Sequence, residues 1–171
     1  MPFTPFHLGP ALLFGMIFFR FVNIPAFIVG SIVVDVEPFF VILFGLSYPL
    51  HGFFHSILGG SIAALAVVFV VMKINGTIKK AMKHLWLKQE NSSRSVLIGS
   101  FLGVYFHIFL DSFLYADIRP FFPLDANPLY GLVLSGSVYS FCVIALVFGI
   151  ILYGILLIKK SASTIECIIP K

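Results

Sequence analysis

His51-Gly-Phe-Phe-His55 and His107-Ile-Phe-Leu-Asp111 each place two metal-competent side chains four residues apart in otherwise apolar sequence. On a helix such positions lie on one face about one turn apart, so each pair could grip an ion from one side. Two pairs facing each other could complete a site. A charged side chain in mid-membrane costs roughly 2.5 to 3.5 kcal/mol on insertion scales. Asp111, among Phe109, Leu110, Phe113 and Leu114, therefore needs a partner, and a shared ion would satisfy both it and His107. Without an ion, the pair reads as a neutral imidazole bonded to a carboxylate, and His51 and His55 read singly as histidines tolerated at the headgroup boundary. Imidazole nitrogen with carboxylate oxygen suits zinc, and also manganese or non-haem iron. An ion with an open position lowers the pKa of water toward about 7, so hydrolysis is the simplest chemistry.

The elements that must position these residues are membrane helices. Of 171 residues 60% are hydrophobic and 11% charged, against roughly 25% charged in a soluble domain, and mean hydropathy is +1.08. The expected fold is all-α, a single polytopic membrane helix bundle with no separate soluble domain. Residues 52–72, 96–114 and 131–158 reach the roughly 20 apolar residues that a span requires. Residues 7–50 read as short, broken or re-entrant helices, because Arg20 interrupts the first and Asp35-Val-Glu37-Pro38 separates the next two. Residues 1–6 carry no Lys or Arg, so the stretch after them is expected to be retained. Cys142 and Cys167 form no Cys-x-x-Cys and imply neither a disulfide framework nor a thiolate metal site. Gly99 and Gly103, with Gly59, Gly60, Ala63 and Ala64, are small residues of the kind that lets membrane helices pack closely.

Lys73, Lys79, Lys80, Lys83, Lys88 and Arg94 fall in the loop 73–95, and Lys159, Lys160 and Lys171 follow the last span. Both segments belong on the cytoplasmic side, and Ile78, Met82, Leu85 and Trp86 among the lysines fit an interfacial helix on anionic lipid. His84 in this loop has no site role. Asn75-Gly-Thr77 and Asn91-Ser-Ser93 match the glycosylation pattern but would face the cytoplasm. The outer end then holds His51, His55, His107 and Asp111. It also gains Asp35 and Glu37 if Arg20 marks an inner turn, and His7 if the first short helix descends from it. Asp117 and Asp125 add to this acidic side, where Arg119 is the basic residue.

Taken in order, His7, Asp35 with Glu37, His51-Gly-Phe-Phe-His55-Ser56 and His107-Ile-Phe-Leu-Asp111 resemble the YdjM-like family of membrane-bound metal-dependent hydrolases. That family runs from an N-terminal His through Asp-x-Asp and His-x-x-x-His-Ser to His-x-x-x-Asp. The resemblance covers about residues 5–130 and ends in the stretch 115–123, with Asp117-Ile-Arg119-Pro-Phe-Phe-Pro123. Glu37 stands where the family often has Asp, and Gly52 where it often has Arg. The resemblance implies hydrolase activity, by a suggested kinship with zinc-dependent phospholipase C, and hence a phosphoester substrate.

The expectation is therefore a metal-dependent hydrolase, a phosphoesterase acting on a lipid or lipid-linked phosphate at the outer boundary of a prokaryotic cytoplasmic membrane. Its metal ligands would be Asp35, His55, His107 and Asp111, with His7 and His51 next. Glu37 or Asp35 would act as base, and Arg119, Asn127 and Tyr130 would contact substrate. Arg119 reads equally well as an ion-pair partner of Asp117 or Asp125, and Asn127 and Tyr130 as loop residues. The bilayer and its lipids are the expected partners, and nucleic acid is not. The rivals are a metal or proton transporter and a structural membrane protein with a bound ion.

Overall fold

The computed structural model describes residues 5–87, 89 and 92–168. Lys88, Asn91 and Lys171 lie outside the described residues, as do the side chains of Lys160 and Cys167. The chain is all-helical, with no strand among the described residues. Its elements are a 3-10 turn at Pro5–His7, α1 Leu8–Ile17, α2 Ile24–Val33, α3 Val36–Leu43, a second 3-10 turn at Phe53–His55, α4 Ile57–Lys73, α5 Asn75–His84, α6 Ser93–Leu114 and α7 Ser135–Ile168.

Three helices are long and apolar enough to cross a membrane: α2 with α3 as one stretch, Ile24–Leu43, then Ser93–Leu114 and Ser135–Lys159. The N-terminal half agrees in part. The expected short helices on either side of Asp35 are α2 and α3, and together they make a 20-residue stretch. The expected span 52–72 is helical only from Ile57, and α4 passes as a span only together with α5, to which it is bent by 77°. Ser56 sets the start of α4, because its side chain accepts the Gly59 N–H at 3.0 Å and so caps the helix. His51 and His55 consequently lie in the loop and turn before α4 and do not share a helix face.

The interruption within Ile24–Leu43 has a covalent origin. Pro38 has no N–H to give the Val34 carbonyl, which takes the Glu37 N–H at 3.1 Å instead. One residue earlier in the same tightened turn, the Asp35 N–H turns to the Ile32 carbonyl at 3.0 Å. The Ser31 carbonyl, which a regular helix would pair with Asp35, is thereby released. Because Pro38 sits in the first turn of α3, where N–H groups have no helical partner anyway, the helix resumes at once.

Helices α2 and α6 run side by side in the same direction. The Asn23 N–H bonds the Ser95 carbonyl near their starts, and His107 bonds Ser31 near their ends. Their approach is closed by glycine: a methyl at Gly103 would stand 2.3 Å from the Phe27 carbonyl, and one at Gly99 2.7 Å from that of Asn23. Helix α4 runs back along α6, Gly60 meeting Val104 and Ile108 while Val67 and Val71 pack with Ala26 and Val96. Helix α1 lies along α7, where Gly9 faces the Cys142 carbonyl and Gly149 faces Leu12.

Gly103→Val is expected to push α6 off α2 and destabilise the bundle by about 1–3 kcal/mol or more, as overpacked cores do. Thermal unfolding in detergent checks this, with Gly136→Val, where a methyl would meet nothing, as the neutral comparison.

Candidate metal centre

Asp35, His55, His107 and Asp111 are all buried, and one ligand atom from each lies within 4.8 Å of the others. Asp35 comes from the interruption between α2 and α3, His55 from the turn capped by Ser56, and His107 and Asp111 from successive turns of α6. On α6 the i, i+4 spacing sets both side chains on the inner face, with His107 Nε2 3.3 Å from Asp111 Oδ2. The same nitrogen is 3.5 Å from Asp35 Oδ1.

Each imidazole is oriented from behind. His107 Nδ1 is 2.7 Å from the Ser31 carbonyl, which can only accept, so this nitrogen carries a proton and Nε2 is turned toward the two carboxylates. His55 Nδ1 donates to Glu37 Oε2 at 3.0 Å. Glu37 also accepts the N–H groups of Gly52 and Phe54 and so fixes the 52–55 turn. Burial pushes the His55 imidazole below its ordinary pKa, with the Glu37 hydrogen bond opposing, and this keeps the neutral form that binds metal.

These contacts leave a defect that a cation would repair. The Nε2 atom of His55 is buried with no hydrogen-bond partner among the described residues, and that of His107 is buried with only the two long carboxylate contacts. They face two buried carboxylates, and Arg119, the basic residue at this end, is paired elsewhere. Unpaired polar atoms and uncompensated charge are costly in an apolar interior. Two imidazole nitrogens with two carboxylate oxygens form a donor set for zinc, manganese or iron, and hydrogen bonds on the far ring nitrogen are the usual support for such ligands. The residues therefore fit a divalent ion.

The remaining predicted residues divide. His7 is buried with Nε2 3.0 Å from Asp111 Oδ1, and its ring lies tilted against that of His107 with centroids 4.1 Å apart, so it flanks the group. His51 is buried beside His55, with ring centroids 4.8 Å apart, but its Nδ1 is held by Asp117 at 3.0 Å. Glu37 lies behind His55 and is spent on four contacts that hold it and the turn, which removes it as the base facing the cluster. Asn127 donates to the carbonyls of Ser112 and Tyr115 and accepts the Leu129 N–H, so it ties the loop to the end of α6. Arg119 pairs with Asp125 at 2.6 Å, both side chains exposed. Tyr130 is half exposed on the same loop.

Three participants escaped the sequence reading. The Ser31 carbonyl acts through its backbone, which no residue type reveals. Asp117 was visible as an acidic loop residue, but only the fold carries it 66 positions back to His51. Tyr115 stacks on His51 at 4.1 Å, and burial, reinforced by the charge of Asp111, pushes its phenol above the ordinary range, so it stays protonated at neutral pH. Comparison with known protein families, with curated proteins and with solved structures returned no match.

Metal analysis of the purified protein is expected to find bound ion that His55→Ala and Asp111→Ala lose. Glu37→Gln should retain the ligands but weaken affinity by about 10- to 100-fold, the usual effect of removing a supporting hydrogen bond. Asn127→Ala should lower stability and leave affinity unchanged.

Proposed function

We propose that this chain is a membrane-embedded metal-dependent hydrolase, a phosphoesterase acting on a lipid or lipid-linked phosphate. The observation that carries the reading is the buried group of Asp35, His55, His107 and Asp111, whose ligand atoms converge within 4.8 Å. When bound, a divalent ion, zinc by preference and otherwise manganese or iron, supplies Lewis acidity and a water made nucleophilic near neutral pH. The resemblance of the His and Asp motifs to YdjM-like hydrolases supports the same chemistry.

The chain's own residues supply the rest. The Ser31 carbonyl and Glu37 hold the imidazoles in the ligating tautomer, and the apolar bundle excludes bulk water. His7 and His51 stand at the edges of the cluster. His51, bonded to the partly exposed Asp117, links the interior to the loop as a route for a proton. A cavity of about 200 Å³ lies at this edge, lined by Tyr48, His51, Gly52, Asp117, Arg119 and Phe122 among others. Its pairing of Arg119 with a histidine suits an anionic head. The Arg119–Asp125 pair is exposed, and such pairs are worth at most about 1 kcal/mol. A phosphate could therefore exchange for Asp125 at little cost.

With zinc-loaded protein in mixed micelles, phosphate release from a panel of lipid phosphates is the direct test. His55→Ala and Asp111→Ala should each reduce it more than about a hundredfold, beyond the effect of a supporting residue. Hydrolysis that survives both variants overturns the reading. Ion uptake into proteoliposomes without hydrolysis assigns the cluster to transport instead.

A further inference from the structure

The end of the bundle remote from the metal cluster carries a second chemistry. Arg20 in the turn between α1 and α2, Lys73 at the end of α4, Lys79, Lys80 and Lys83 on α5, and Arg94 at the start of α6 are all exposed there. Asp35, Glu37, Asp111, Asp117 and Asp125 all lie toward the other end. Within residues 73–95 the sequence has six Lys or Arg and the single acid Glu90.

This face is built, not merely charged. Helix α5 turns 77° from α4 and lies across the base of the bundle. Its buried Met82 packs with Met16, Ile24 and Leu87, with Ile78, Leu152 and Tyr153 around them. The segment that follows is stitched down: the Tyr153 hydroxyl donates to the Leu85 carbonyl at 2.9 Å, and the Ile24 N–H donates to Gln89 Oε1 at 3.0 Å. Gln89 Nε2 donates in turn to the carbonyls of Phe19 and Val22. The apolar side of α5 is thus occupied by the protein's own core, and its lysines point away from it. Retention of a positive loop on one side of a membrane needs charge alone. It does not need a folded helix fixed crosswise with Trp86 exposed at its end.

We infer that this basal face, Arg20, Lys73, Lys79, Lys80, Lys83 and Arg94, is a binding site for anionic phospholipid headgroups. Helix α5 turns across the end of the bundle at which α6, long and apolar enough to cross a membrane, begins, so a bilayer around α6 brings its lysines to headgroup level, where the phosphates of anionic lipids are at high local concentration. The complementarity of charge selects anionic over zwitterionic lipid, and Trp86 stands where indole favours the membrane boundary. This site does not depend on the hydrolase reading, because it uses none of the cluster's residues.

Trp86 is the only tryptophan in the chain and reports on this face alone. The full-length protein is reconstituted in mixed phosphatidylcholine and phosphatidylglycerol vesicles, in which one lipid or the other carries brominated chains. Brominated phosphatidylglycerol is expected to quench Trp86 more than brominated phosphatidylcholine at equal content, and added salt should erase the difference. Lys79→Gln, Lys80→Gln and Lys83→Gln should each lower the preference by up to about fivefold, whereas the same three positions changed to Arg should keep it. Equal quenching by the two lipids overturns the inference, and so does a preference that survives the triple Gln variant with its helix content intact. Displacement of the lipid by a short DNA duplex at physiological salt would reassign the face to nucleic acid.

Discussion

The hydrogen bond from His107 Nδ1 to the Ser31 carbonyl is the interaction on which the rest of the cluster depends. It fixes which nitrogen of His107 faces inward, and the carbonyl is open to it because the Asp35 N–H turns to Ile32 in the tightened turn before Pro38. The same turn carries Asp35 to the cluster and Glu37 to the back of His55. This one tightened turn therefore carries one candidate ligand and holds the groups that orient two others. Glycine supplies the second condition: without Gly99 and Gly103 the α2 backbone could not come close enough to α6 for a side chain on one helix to reach the main chain of the other.

The bundle is polarised along its length. Its acidic and histidine side chains gather at one end and its exposed cations at the other. Between them the interior is apolar, with Ala11, Val22 and Phe27 on one side and Ala26, Val67, Val71 and Val96 on the other. Buried Ser100 lies in this region, but its hydroxyl is turned to the Val96 carbonyl of its own helix. A permeation path needs polar stations through the membrane, and here the described polar side chains at the cluster lead toward Asp117 and the loop on one side only.

The sequence made the all-helical membrane fold legible through the length of its apolar runs, and the His107 and Asp111 pair through a spacing that survives because both lie inside α6. His7 and Asp35 were legible only through topology, since the placement of Arg20 at a turn brings them to one end. The His51 and His55 pair shows the limit of spacing. Its four-residue interval implied a helix, yet Ser56 caps α4 just after it, and the two rings meet edge to face in a loop instead. A capping serine before an apolar run is a readable signal, and it would have placed the helix start correctly. Roles were harder to read than membership. Glu37, Asn127 and Arg119 belong to the right neighbourhood, but which of their neighbours consume their hydrogen bonds is decided by tertiary contacts with no sequence signature.

Burial constrains how the cluster can act. His55 and His107 are fully enclosed and Asp35 and Asp111 nearly so. The cover is the loop after α6, held to the turn before α4 by the Asp117 contacts with His51 and by the Ile57 N–H to the Pro120 carbonyl at 2.9 Å. These are a few bonds, one of them to a partly exposed carboxylate, and each is worth only about 1 kcal/mol net or somewhat more where charge is involved. Of the candidate ligands, His107 and Asp111 are held on the packed helix α6, Asp35 at the break between α2 and α3, and His55 in the turn that Glu37 fixes. A molecule larger than water could reach the cluster only by displacing this loop, and its few bonds are cheaper to break than the packing of α6, which holds two of the candidate ligands.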